Sequence, residues 1–135
     1  MPLSLLVVLG FVGIYLLVRG TQRSRVSADP DAETLEELVR AGSDLSQPHE
    51  VEFFLYVETA AQAASLAADL QAGGFTTEVR PTETDGCWLC LATRVMRPEL
   101  AELRQLRARF SALAERTGGA YDGWGTTVVE GERRT

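Results

Sequence analysis

Cations are scarce over most of this chain. It has no lysine, and three of its 13 arginines, Arg19, Arg23 and Arg25, sit directly behind the first apolar run. From Ser27 onward 19 acidic residues face 10 arginines, a net charge of −9, and leaving out Arg133 and Arg134 makes the body more acidic still. A surface of that sign repels phosphate backbones, which argues against direct nucleic-acid binding. It suits a basic protein partner, because opposite fields steer encounter. Negative charge also keeps a small domain soluble. Cysteine is nearly missing as well. Cys87 and Cys90 alone make no disulfide framework, and nothing else asks for an oxidising compartment. With one histidine, His49, and no second Cys-x-x-Cys, the chain offers no full metal-ligand set, and no cofactor is expected.

What the sequence does have begins with Met1 to Val18, an 18-residue apolar run without a charged side chain. As a helix it spans roughly 27 Å, enough for the hydrocarbon core of a bilayer. A cleaved signal peptide would carry positive charge before the run and a small-residue cleavage site after it. Here the arginines follow the run and no A-x-A pattern closes it. The expectation is an uncleaved single-pass anchor (1–18) in the cytoplasmic membrane. The positive-inside rule places the rest of the chain on the cytosolic side. A polar tether (19–30), a domain (31–129) and a disordered tail (130–135) complete the organisation.

Asp29-Pro30 is a cap followed by a first-turn proline, so a short helix runs to about Ala41, with Leu35, Leu38 and Val39 on one face and Glu33, Glu36 and Glu37 mostly solvated. Val51 to Val57 alternates with apolar residues on both faces, the mark of a central strand. Thr59 to Ala72 is an alanine-rich helix ended by Gly73-Gly74. Phe75 to Arg80 reads as an edge strand, Thr84-Asp85-Gly86 as a hairpin turn, and Cys87 to Thr93 as a second central strand. Pro98 opens the longest helix, to about Thr117, with leucines and Phe110 at three- and four-residue spacing. Tyr121 to Val129 is the last strand.

The succession β-α-β-β-α-β, with right-handed crossovers, predicts an α+β, ferredoxin-like sandwich. Its four-stranded antiparallel sheet has both helices on one face, and the short helix and the transmembrane helix precede it. The first and third strands are then central, as their two-sided apolarity requires. If Val51, Phe53, Leu55, Cys87, Leu89 and Leu91 face the helices, then Phe54, Tyr56, Trp88, Cys90 and Ala92 face the other way, with Trp124 and Val128 beside them. An exposed face of that kind is a binding site, unless the short helix or the Asp44–Glu50 loop folds over it.

The motifs carry little chemistry. On a strand, residues three apart point to opposite faces, so Cys87 and Cys90 read as core packing rather than a redox or metal pair. His49 beside Glu50 suggests a proton-transfer pair, but no nucleophile can be placed near it. Arg94, Arg97, Arg104, Arg107 and Arg109 lie near and along the long helix, where a solvated face and pairing with carboxylates account for them. Tyr121-Asp122-Gly123-Trp124-Gly125-Thr126 is the distinctive string. Two glycines inside a strand point to a bulge or a close backbone approach, and Trp124 is the residue type that anchors interfaces.

This YDGWGT string, after a leucine-rich helix and Gly118-Gly119, resembles the regulator of ribonuclease E activity B family. Leu113-Ala114-Glu115-Arg116 and Pro48-His49-Glu50-Val51-Glu52 are similar to it too, and the likeness covers about Thr34 to Val129. The resemblance implies a ferredoxin-like fold and an acidic, non-catalytic protein inhibitor that binds the endoribonuclease RNase E. Tyr121, Asp122, Gly123, Trp124 and Gly125 match the motif. Well-known members are soluble and end in a long acidic tail, whereas this chain has an apolar N-terminal run and a short tail with two arginines.

The expected function is therefore a membrane-tethered binding regulator of RNA turnover. It docks on an RNase E-type endoribonuclease or its scaffold through Phe54, Tyr56, Trp88, Tyr121, Asp122 and Trp124. A structural module that forms a homodimer through the open sheet face is the alternative. An enzyme or ligand site around His49, Trp88 and Trp124 is a third reading.

Overall fold

The computed structural model describes residues 29–83 and 86–131. The elements are α1 (Pro30–Arg40), β1 (His49–Val57), α2 (Ala60–Ala72), β2 (Thr76–Pro81), β3 (Trp88–Met96), α3 (Leu100–Arg116) and β4 (Ala120–Gly125). The strands form one four-stranded antiparallel sheet in the order β2-β3-β1-β4. After α1 this is the β-α-β-β-α-β succession with the first and third strands central, as their two-sided apolar patterns require. The sequence-predicted anchor (1–18), nearly all of the tether and most of the tail lie outside the described residues, as do Thr84 and Asp85 of the hairpin turn. Among the described residues no helix is long and apolar enough to cross a membrane.

The residues cluster into two compact units. Of the described residues, one unit comprises 29–51, 95–103 and 125–131. In it, the Asp29 carboxylate caps α1 by accepting from the backbone N–H of Asp31 (3.0 Å) and Ala32 (3.4 Å), and Pro30 needs no donor at the first position. Gly42, at φ +99°, ends the helix in the left-handed conformation. The Gly42 N–H then reaches Val39 O (3.0 Å) and the Ser43 N–H reaches Leu38 O (2.9 Å). The buried face of α1 differs from the expected one. Leu38 is buried as expected, but its neighbours inside are Asp31, Glu33 and Thr34, while Val39 is 55% exposed and Leu35 half-buried. Asp31 and Glu33 each have interaction partners, so a carboxylate-bearing flank is buried where an apolar one was expected.

The other unit is Glu52–Arg94 with Arg104–Trp124. Its centre is a ring triad. Phe53 of β1, Phe75 and Phe110 of α3 meet edge to face with centroids 5.8, 5.1 and 5.3 Å apart, and Tyr121 lies 5.6 Å from Phe110. A capping box starts α2: Thr59 Oγ1 accepts from Gln62 N–H (3.1 Å) and Gln62 Oε1 from Thr59 N–H (3.0 Å). Ala63, Leu66, Ala67 and Leu70 form the helix's buried side, where small residues allow close packing on β2.

β4 stops at Gly125, four residues short of the expected end. The backbone beyond it bonds elsewhere. Thr126 Oγ1 donates to Glu50 O (2.8 Å), Val129 N–H donates to Ser43 Oγ (3.0 Å), and Val129 O accepts from Asp44 N–H (2.7 Å).

Candidate functional site

The β2–β3 register fixes which side chains share a face of the sheet. In the antiparallel β2–β3 register Val79 lies opposite Cys90, Thr77 opposite Ala92, and Pro81 opposite Trp88. Partners across an antiparallel pair point to the same side. Gln71 of α2 donates to Thr77 Oγ1 at 2.6 Å, so that side faces the helices. Trp88, Cys90 and Ala92 are therefore on the helix side, and Leu89 and Leu91 on the other, with Arg80 and Glu78 as their partners. This reverses the expected orientation of the third strand. Phe53 packs on Phe110, so Phe54 and Tyr56 keep the face opposite the helices as expected. Their companions are Leu89 and Leu91 rather than Trp88 and Cys90.

That opposite face is not open at its centre. Phe54 is 7% exposed, and Leu89 and Leu91 are equally buried. Trp124 is 3% exposed. The expected exposed aromatic surface is thus corrected: the chain's own atoms seal two of the six nominated side chains. The physical reason is the cost of leaving such surface in water, about 25 cal/mol for each Å². Tyr56, Trp88, Tyr121 and Asp122 are half-buried, but Tyr56 and Trp88 lie on opposite faces and form no common surface. A homodimer through this face would have to pair residues that are already covered. Toward the β2 edge the face turns polar and exposed, with Thr76, Glu78 and an Arg80–Glu78 ion pair of 3.1 Å.

The YDGWGT string has a structural role. Gly123 sits at φ +104°, which a side chain adopts only at a cost, and this turns the strand so that Trp124, Gly125 and Thr126 are all buried. The Tyr121 ring is held between Phe110 and the guanidinium of Arg107, 5.4 Å from its centroid. Just upstream, a Cβ on Gly119 would run into the carbonyl oxygen of Tyr56, so only glycine lets β4 approach β1 there.

His49 does not pair with Glu50. It is 1% exposed, its Nε2 lies 2.6 Å from Ser43 Oγ and its Nδ1 2.8 Å from Gln47 O. A carbonyl oxygen only accepts, so Nδ1 carries a proton, and in the neutral ring Nε2 accepts the Ser43 hydroxyl hydrogen. Sequence reasoning missed Ser43, because nothing in the loop spacing marks it. The geometry is that of a nucleophile and its base, but both groups are buried and Ser43 Oγ also receives the Val129 N–H, so the pair clasps chain segments together. Among the described residues no three His, Cys, Asp or Glu side chains converge as a metal site would require. Cys87 and Cys90 are both free thiols, and burial pushes Cys90 up to about 11, which keeps it protonated and unreactive at neutral pH.

Among the described residues two large apolar side chains stay exposed, Val95 on β3 and Val39 on α1. Leu35, Val39 and Leu45 line a shallow depression of about 320 Å³ on the outward flank of α1, rimmed by Glu36 and Arg40. Arg40 is held to Glu37 at 2.8 Å, which offsets its charge. No sequence signal separated this flank from a core-facing one, since Leu35, Leu38 and Val39 are equally apolar.

A family model described as regulator of ribonuclease activity B matches residues 28–126. No curated protein matches the chain.

Proposed function

Because the chain belongs to the regulator of ribonuclease activity B family, we propose that it is a non-catalytic regulator of RNA turnover that binds an RNase E-type endoribonuclease or its scaffold. The observation that carries this reading is the extent of the match, which takes in every element from α1 to β4. The net charge of −9 from Ser27 onward supports a basic protein partner over RNA itself. The N-terminal apolar run and its three following arginines support a tether that holds the domain at the cytosolic face of the membrane.

With Phe54 and Trp124 buried, docking moves to the flank of α1. Leu35, Val39 and Leu45 offer apolar contact, and Glu36 supplies acid beside it, since Glu37 is paired with Arg40. That combination suits a basic, amphipathic segment of the partner. The test uses the full chain in mild detergent as bait for a purified RNase E-type enzyme. The wild-type chain retains the enzyme and slows its cleavage of RNA, and Val39→Asp abolishes both. Retention unchanged by Val39→Asp refutes the docking flank, and no retention by the wild-type chain refutes the partner.

A further inference from the structure

Charge is divided sharply along this chain. Between Arg94 and Arg116 six arginines stand against three acidic residues, a net +3, leaving four arginines against 16 acids, −12, for the rest from Ser27 onward. Most of that basic stretch is α3. The helix buries Leu103, Leu106, Phe110 and Leu113 and turns Arg104, Arg109 and Arg116 to solvent. The short side chains of Ala101, Ala108 and Ala112 lie on the same exposed side, and Glu115 is the one exposed acid of the helix. Over 17 residues, about 25 Å of helix, the guanidinium groups therefore dominate this face. Arg109 also lies over Gly73 at the carbonyl end of α2, where a Cβ would come within 2.6 Å of its Nη2.

We propose that this arginine face of α3 docks on the anionic headgroup surface of the membrane. The inference rests on the tether reading, because a tether keeps the domain within reach of the bilayer. A helix face studded with arginines is a convex ridge, which fits a broad charged surface better than a protein segment. Arginine, the only cation the chain uses apart from its single histidine, binds phosphate oxygens in a two-pronged fashion. Each arginine within a Debye length of anionic lipid favours contact by roughly fivefold.

The test uses the full chain, in a Cys87→Ser background, reconstituted into vesicles of phosphatidylcholine alone or with phosphatidylglycerol. A dye on Ala112→Cys reports the α3 face, and one on Thr76→Cys the far side of the sheet. A headgroup-bound quencher should dim the dye at position 112 more with phosphatidylglycerol than without, and leave the dye at position 76 bright. Arg104→Glu combined with Arg109→Glu and Arg116→Glu, or added salt without any substitution, should remove the effect. A chain that floats with both vesicle types while the dye at position 112 stays in water overturns the docking alone. A chain that floats with neither overturns the tether, and the docking with it. Shielding of position 112 by soluble poly-glutamate but not by phosphatidylglycerol assigns the face to an acidic protein and overturns the membrane proposal.

Discussion

Ser43 Oγ lies 2.6 Å from His49 Nε2 and also receives the Val129 N–H at 3.0 Å, so one hydroxyl joins the loop after α1, the start of β1 and the segment beyond β4. Each of those three segments ends or begins an element, and the hydroxyl supplies partners where the regular ladders stop. Ser43→Ala leaves a buried imidazole nitrogen and a backbone N–H without this partner. The expected loss of stability is about 1–3 kcal/mol. Denaturant unfolding of the full chain in detergent reads it, and an unchanged midpoint would show that the clasp contributes nothing.

The ring triad sets the larger scale. Phe110 is fully buried and touches Phe53, Phe75 and Tyr121, so Phe110→Ala removes all of these contacts and leaves a cavity. The cost should be about 3–5 kcal/mol, enough to unfold a marginal domain. Near-ultraviolet circular dichroism of the variant should lose its aromatic signal at a temperature where the parent keeps it.

Two glycines separate steric clash from backbone strain. Gly42 has a positive φ and open space around a hypothetical Cβ, so Gly42→Ala costs only the conformational penalty, about 1 kcal/mol. Gly119 has no positive φ, yet its Cβ would meet the Tyr56 carbonyl and Val57. Gly119→Ala should be clearly the more destabilising, because backbone must shift to admit it. Equal melting temperatures for the two variants would contradict the close approach of β4.

Cys90 gives a pH prediction. Its thiol stands at about 11 in the fold against an ordinary 9.0, because burial penalises the thiolate. A raised value stabilises the fold fully below pH 9 and loses that contribution as pH climbs toward 11, where the unfolded thiol is already ionised. A disulfide reagent at about pH 8 should therefore label Cys87 alone in the folded chain and both cysteines after denaturation. Rapid labelling of both in the folded chain would rule out the burial of Cys90.

The strand order was legible because β1 and β3 carry apolar residues on both faces. That is a statement about how many neighbours a strand needs, and it survives any error of register. The same two-sidedness hid the orientation of β3. A strand with Leu89 and Leu91 on one side and Trp88, Cys90 and Ala92 on the other alternates with no preferred phase. The β2 register then decided which set met the helices. On α1 the signal failed for a related reason, since Leu35, Leu38 and Val39 are interchangeable by hydropathy and only packing chose Leu38.

By itself the sequence determined the element types and their order, the central strands, the acidic body with its arginine-rich stretch, and the YDGWGT string that carries the family likeness. These depend on local chemistry: caps, glycine stops, alternation and charge. Tertiary structure alone decided that Phe54 and Trp124 are covered, that Val39 is not, and that His49 meets Ser43. Those outcomes turn on which surfaces come together over long stretches of chain, and a residue's own character does not specify its distant neighbour.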